Sequence, residues 1–298
     1  MTNTVNAVAL LTTTLTVLTL NFVTEIKMED VYFAPSLFLN HGAGPYPVLG
    51  EKNNLEIGEA LKNVSNYVDL SRLRAIVVVT AHREEDVVTI SSAERHSLVY
   101  DYTNFPPECY KYQYNAPGDP VLAARIHEAF RTAGIESRLD DQRGWDHGVF
   151  IPMMLVNPKA DIPIIQISIL KNQNAAQHYE IGRVLYQFRK EGVAIFGSGF
   201  SYHNEEGFER AKGDNDKRIE NTDFDTFLNE VCTGDEENRK KIVFWEQEKG
   251  GYDSHPLGEA DHLMPLIVNA GAGGTERGRN IFKSVYADKF KISGFIWD

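Results

Sequence analysis

The 298-residue chain is long for one domain and short for two, and its 42% hydrophobic and 24% charged residues are the proportions of a folded globular protein, not a disordered one. A net charge of −12, from 42 acidic against 30 basic side chains, repels phosphate backbones and anionic lipid, so neither nucleic acid nor membrane is the expected partner. Two cysteines, Cys109 and Cys232, are too few for a disulfide framework and form no CxxC pair, which fits a reducing, cytoplasmic compartment.

The first 24 residues carry no charge and are rich in Thr, Leu and Val, but no basic region precedes them and Thr and Asn interrupt the apolar run. Residues 1–27 are read as a dispensable or poorly ordered extension in preference to a cleaved targeting peptide. Met28-Glu29-Asp30-Val31-Tyr32 then opens a single domain, residues 28–298, because no repeat and no Pro/Gly/Ser-rich linker divides the chain.

Two short apolar runs come next, at 36–39 and 75–80, and two more at 162–169 and 193–196. Their hydrophobicity is continuous rather than alternating, as in strands buried on both faces. Between them the pattern turns helical. Asp119 is a candidate N-cap with Pro120 in the first turn, and Val121, Leu122, Ile126 and Phe130 form the expected buried stripe until Gly134. A second helix is expected over 175–190, with Ile181, Val184, Leu185 and Phe188 buried and Gly192 as the stop. Strands alternating with helices predict an α/β fold, a mostly parallel central sheet covered by helices, with its active site at the C-terminal edge of the strands. Residues 205–255, crowded with charge, read as a solvated helix and loops on the periphery.

Histidine placement carries the functional argument. One residue separates His41 from the first run and one separates His82 from the second, and His203 lies a short glycine-containing stretch beyond the fourth. A lone histidine at a strand end is more often a satisfied surface or core residue than a ligand. Three at the carboxyl edge of one sheet would converge in the crevice where open α/β sheets bind ligands. His147 lies in Gly144-Trp145-Asp146-His147-Gly148, a turn-like segment whose glycines permit close approach of the backbone, and His262 stands at the expected start of a late helix. His96, His127, His178 and His255 look bland, with His127 and His178 among polar neighbours on helix faces. Imidazoles without thiolates suit Zn, Cu, Fe or Ni. No dinucleotide loop, Walker motif or GxSxG elbow is present, and Gly197-Ser198-Gly199 is only a fragment of a glycine-rich loop.

Six segments occur together and in a telling order: Asn40-His41-Gly42-Ala43-Gly44-Pro45, Thr80-Ala81-His82-Arg83-Glu84, Tyr100-Asp101 through Asn104-Phe105-Pro106, Gly144-Trp145-Asp146-His147-Gly148, Tyr202-His203-Asn204, and Asp261-His262-Leu263-Met264-Pro265-Leu266. From about residue 35 to the C-terminus the chain resembles class III extradiol ring-cleaving dioxygenases, in particular their 4,5-DOPA dioxygenase extradiol branch. The resemblance implies one catalytic domain holding one divalent metal at His41, His82 and His262, with His203 beside it as a fourth ligand or as the acid/base histidine. It implies that His147 positions dioxygen or moves protons. Fe(II) is the metal expected for activity, with Zn(II) possible in isolated protein. The expected partners are a small aromatic diol and O2, in a monomer or small homo-oligomer. Branch members usually carry Ser-Pro where this chain has Ala43-Gly44-Pro45, and commonly Trp at Arg83; both positions are expected beside the metal and leave the identity of the substrate open. The aromatic cluster Tyr100, Tyr102, Phe105, Tyr110, Tyr112 and Tyr114 offers a wall for a substrate ring as well as core material. The rival readings are a zinc-dependent hydrolase using the same histidines and a catalytically idle metal-binding protein on the same fold.

Overall fold

The computed structural model describes residues 32–214 and 216–298, so the expectations for residues 1–27 and for a domain start at Met28 lie outside the described residues. Among the described residues, eight strands form one sheet: β1 (Ser36–Asn40), β2 (Ala75–Glu85), β3 (Val88–Ser91), β4 (Ser137–Asp140), β5 (Ile164–Leu170), β6 (Val193–Gly199), β7 (Arg279–Tyr286) and β8 (Phe290–Trp297), in the order β4-β3-β5-β2-β6-β1-β8-β7. The four apolar runs supply the four central strands β5, β2, β6 and β1, which are mutually parallel. Both faces of the sheet are covered. Val77 and Val79 pack with the helices Pro120–Thr132, Ala175–Arg189, Thr222–Thr233 and Met264–Gly271. Ile76 and Val78, pointing the other way, pack with Leu55–Lys62 and His147–Val156. All four β2 side chains are at most 1% exposed, which explains why the run is continuous in the sequence; each such burial is worth about 1.5–3 kcal/mol.

The sheet is parallel at its centre; β8 pairs antiparallel with β1 and with β7, and β3 meets β5 antiparallel but pairs in parallel with the edge strand β4. The helix over 120–132 starts as expected, with the Asp119 carboxylate accepting the Leu122 N–H at 2.8 Å. Val121, however, is 68% exposed, because the buried stripe is Leu122, Ala123, Ile126 and Phe130, and Val121 falls off its edge. The helix Ala175–Arg189 buries Ile181, Leu185 and Phe188, with Val184 only partly covered.

Residues 205–255 are not a peripheral solvated segment. Phe224, Leu228, Val231 and Cys232 fall at helical spacing on Thr222–Thr233 and join the main core with Ile242 and Trp245, while most of the charged residues that dominate the composition stay outside it, with Asp225 and Arg239 buried. His178 and His255 are likewise fully buried. No helix among the described residues is long and apolar enough to cross a membrane.

Candidate active site and metal centre

Three strands end level with one another. Asn40 of β1 pairs with Gly199 of β6, and Thr80 of β2 pairs with Ser198, so the residues just beyond each strand arrive at one edge. His41 comes directly after β1, its backbone N–H bonded to Gly199 O at 3.1 Å. His82 lies in a bulge: β2 advances from Thr80 to Glu84 while its partner β5 advances only from Ser168 to Ile169, which throws the 81–83 segment out of the ladder. His203 is on the loop beyond β6, its N–H held by Ser254 O at 2.9 Å.

The remaining two histidines come from helix starts. His147 is the first residue of His147–Val156, not a loop residue, and His262 stands two residues before Met264–Gly271. Glycines let both helices approach. A Cβ on Gly148 would lie 2.5 Å from Thr80 Oγ1, and one on Gly199 would lie 2.2 Å from His262 O. Gly197-Ser198-Gly199 is therefore part of β6 and a packing surface, not a phosphate loop.

The five rings form one cluster. His41, His82 and His262 make a nearly equilateral triangle, with centroids 4.9, 5.2 and 5.0 Å apart. His147 stands 3.9 Å from His82 and 5.6 Å from His41, and His203 stacks on His262 at 3.6 Å and 7°. All five line one pocket of about 790 Å³, walled by Tyr46, Tyr102, Phe105, Phe200, Phe208 and Tyr286. Tyr102 and Phe105 are the members of the expected aromatic wall that reach the pocket, whereas Tyr114 is buried with its hydroxyl on Asn157 O. Arg83 does not neighbour the cluster. Its side chain turns to the opposite side of β2, fully buried, and pairs with Asp140 and Glu85.

Hydrogen bonds fix which nitrogen of these rings is free. The Ser198 hydroxyl donates to Gly148 O, and a carbonyl only accepts, so Ser198 Oγ must accept from His41 Nδ1, 2.9 Å away. His82 Nδ1 faces Asp101 Oδ2 at 3.3 Å and His147 Nδ1 bonds Asp101 Oδ1 at 2.9 Å. His147 therefore carries its hydrogen on Nδ1, and the carboxylate beside His82 Nδ1 favours the same form there. With His82 in that form, His41 Nε2 and His82 Nε2, 3.2 Å apart, are both lone-pair nitrogens. Two bare lone pairs repel at that distance, and a cation between them removes the conflict. Nitrogens bound at about 2.0–2.1 Å to one metal lie about 3 Å apart, so the donor set fits a divalent ion. His262 Nδ1 is 2.8 Å from Asp261 Oδ2 yet out of line for a hydrogen bond, leaving a buried nitrogen unsatisfied.

The electrostatics favour neutral rings at His41, His82, His203 and His262. Burial first, and then the neighbouring imidazoles, push His41 and His262 well below the usual histidine range. Burial and His147 lower His82 against the opposing pull of Asp101, and burial lowers His203. Burial works to raise Asp101, but its interactions with His147, led by the side-chain hydrogen bond, and with His82 outweigh it, so its carboxyl sits below the ordinary range and stays ionised. Neutral imidazole is the form that binds metal.

Of the bland histidines, none joins the cluster: His96 bonds Arg143 O, His127 bonds Ser137 Oγ, His178 bonds Asn174 O and receives Leu170 N–H, and His255 bonds Ser201 O. Sequence reasoning assigns no role to Asp101, Ser198 or Asp261. Asp101 and Asp261 do lie inside the six ordered segments, which is the available signal.

Similarity to known proteins agrees with this geometry. Residues 36–294 match the family model described as the catalytic LigB subunit of aromatic ring-opening dioxygenase. The chain is 39% identical to Dioxygenase tasH of Hapsidospora irregularis over 259 residues, 82% of this chain and 79% of that protein. It is 34% identical to the 4,5-DOPA dioxygenase extradiol of Escherichia coli K12, covering 80% of this chain and 84% of that one, and 32% identical to the enzyme of the same name from Portulaca grandiflora, covering 83% and 89%. A crystal structure of an uncharacterized Escherichia coli K12 protein superposes with a TM-score of 0.68 at 26% identity, covering 89% of this chain and all of that one. A histidine-lined pocket at the carboxyl edge of a parallel sheet, on a chain matched along most of its length, makes this protein a member of the LigB family of aromatic ring-opening dioxygenases, a class III extradiol enzyme.

Proposed function

We propose that the chain opens a catechol bearing a side chain, of the DOPA type named for its plant and bacterial relatives, by extradiol cleavage with O2 at a site holding Fe(II). The observation that carries the reading is the His41–His82–His262 triangle with its two facing lone pairs. His41, His82 and His262 would hold the metal. When bound, Fe(II) supplies a redox-active centre at which diol and dioxygen are held together, lowering the entropic barrier to their meeting.

The protein's own groups do the rest. His147 keeps its hydrogen on Nδ1 against Asp101, so its Nε2 is free to take a proton from the incoming catechol and return it to the opened product. His203, stacked on His262, serves either as a fourth ligand or as a second acid/base. Tyr102 and Phe105 offer ring faces to the substrate, and the walls limit the access of water. Residues 28–298 act as one catalytic domain in this reading, and the matched span of 36–294 falls within it.

The test is anaerobic loading with ferrous iron, then addition of oxygen and a panel of catechols. Oxygen uptake matched by ring-opened, coloured semialdehyde product is expected, and His82→Ala should abolish both metal binding and product. Zn(II) can fill the same imidazoles but has no redox chemistry with oxygen, so iron content is measured alongside. Iron-loaded protein that consumes no oxygen with any catechol overturns the reading and leaves the hydrolase or the idle protein. Full activity in His82→Ala overturns the ligand set.

A further inference from the structure

Asp101 is not among the groups assigned to metal or substrate, yet it touches two of the five histidines at once. The chain brings it there through a short bridge: Trp145 N–H bonds Ser97 O at 2.9 Å and Val99 N–H bonds Trp145 O at 2.7 Å, tying the segment before Asp101 to the segment before His147. Asp101 Oδ1 then accepts both the backbone N–H and the Nδ1–H of His147 at 2.9 Å, which also caps the helix His147–Val156. Its other oxygen faces His82 Nδ1 at 3.3 Å, and its side chain is only 20% exposed.

An ionised carboxylate has no hydrogen to offer, so a nitrogen that hydrogen-bonds to it must carry one, and a bare nitrogen facing it is repelled. We propose that Asp101 is a positioning residue for the ring-opening reaction: one carboxylate holds His82 and His147 together in the Nδ1–H tautomer, so that both turn an Nε2 lone pair into the same pocket. The proposal rests on the reading in which His82 holds the metal and His147 moves a proton.

The competing state shows why the clamp matters. Were the His82 hydrogen on Nε2, that N–H would point at His41 Nε2, 3.2 Å away, and the two rings would satisfy each other. Such a bond would consume both lone pairs and close the site to a cation. Asp101 makes this self-quenched arrangement unfavourable, since it would set the bare Nδ1 of His82 against a carboxylate. Carboxylates behind metal-binding histidines typically change metal affinity by about 10- to 100-fold, through tautomer, orientation and basicity.

Tautomers are read directly by long-range ¹H–¹⁵N correlation spectra of metal-free protein labelled at histidine. In the wild type, His82 and His147 should both show the Nδ1–H form. In Asp101→Ala, His82 should convert to Nε2–H, Zn(II) affinity measured against a competing chelator should fall about 10- to 100-fold, and kcat of the iron-loaded enzyme should fall more than KM rises. Asp101→Asn can accept through only one oxygen, so it should keep the Nδ1–H form at one of the two rings and lose it at the other. Asp101→Glu should restore part of the affinity. If Asp101→Ala does not fold, the isosteric Asn variant carries the test. Unchanged tautomers in folded Asp101→Ala or Asp101→Asn, or wild-type Zn(II) affinity in either, overturn the proposal. Failure of the functional reading looks different: His82→Ala would then bind Zn(II) as tightly as the wild type, whatever the tautomers do.

Discussion

Gly199→Ala puts the strongest strain on the link between packing and metal binding. A Cβ at Gly199 would stand 2.2 Å from His262 O and 3.1 Å from the carbonyl carbon, so the 262 segment must retreat by about 1 Å to regain ordinary contact. The same carbonyl receives the Phe200 N–H at 3.1 Å, which ties the segment to β6 and resists the movement. Overpacking of this kind costs about 1–3 kcal/mol, within the 5–15 kcal/mol by which domains are stable, so the variant should fold. Metal–ligand distances tolerate only about 0.2 Å, several times less than the required shift. Metal affinity should therefore fall at least about tenfold, or about 1.4 kcal/mol. Zn(II) titration against a competing chelator measures it, alongside urea unfolding of the metal-free protein. Gly134→Ala is the control: its φ of +74° costs about 1–2 kcal/mol, but its Cβ enters open space away from the pocket and should leave affinity unchanged. A Gly199→Ala protein that is destabilised yet binds metal as the wild type does would show that the His262 ring is not held by this contact, or is not a ligand.

Two further outcomes are expected. His178 is fully buried, accepts Leu170 N–H at 3.0 Å and donates to Asn174 O at 2.8 Å, and burial pushes it down to about 4. Its folded value lies below its unfolded value of about 6.5, so its stabilising contribution is whole above pH 6.5 and is lost as pH falls towards 4, at up to about 1.4 kcal/mol per pH unit. Urea midpoints of metal-free protein between pH 7 and 4.5 should fall less steeply in His178→Gln than in the wild type, and equal slopes would refute the assignment. Tyr102 turns its ring to the pocket but its hydroxyl away, donating to Cys109 O at 2.6 Å, and burial raises the phenol far above neutrality. Tyr102→Phe should cost about 1 kcal/mol in stability and leave catechol KM within about twofold, whereas a large loss of kcat would mean that the hydroxyl takes part in the chemistry.

The centre of the sheet is legible because doubly buried strands advertise themselves as unbroken Ile and Val runs, and the same runs locate His41 and His82. The flanks are not. β7 alternates between half-buried and exposed positions, and its hairpin with β8 turns through Ala287 and Asp288, both at positive φ, without the Asn-Gly or Gly-Gly pair that usually signals such a turn. The 205–255 segment misleads because charge dominates its composition while its four apolar helix positions, 224, 228, 231 and 232, carry the packing. His178 and His255 mislead for a related reason: polar neighbours in sequence say nothing about the opposite face of a helix or about what the chain brings over it.

The site divides along the same line. A histidine just past a strand announces where it will be, because strand ends are local features of the sequence. The partner that decides its tautomer does not. Ser198 lies 157 positions from His41, and Asp101 lies 46 from His147, so each pairing exists only once the sheet has closed. With 42 acidic residues available, composition cannot single out the carboxylate that will stand behind an imidazole. Yet those partners set the tautomers of His41 and His147, and favour that of His82, in a cluster of rings that alone could satisfy one another by N–H···N bonds, and they turn Nε2 nitrogens toward the pocket. Strand order thus brings the ligands to one place, and the buried hydroxyl and carboxylates behind them determine whether the place binds a cation.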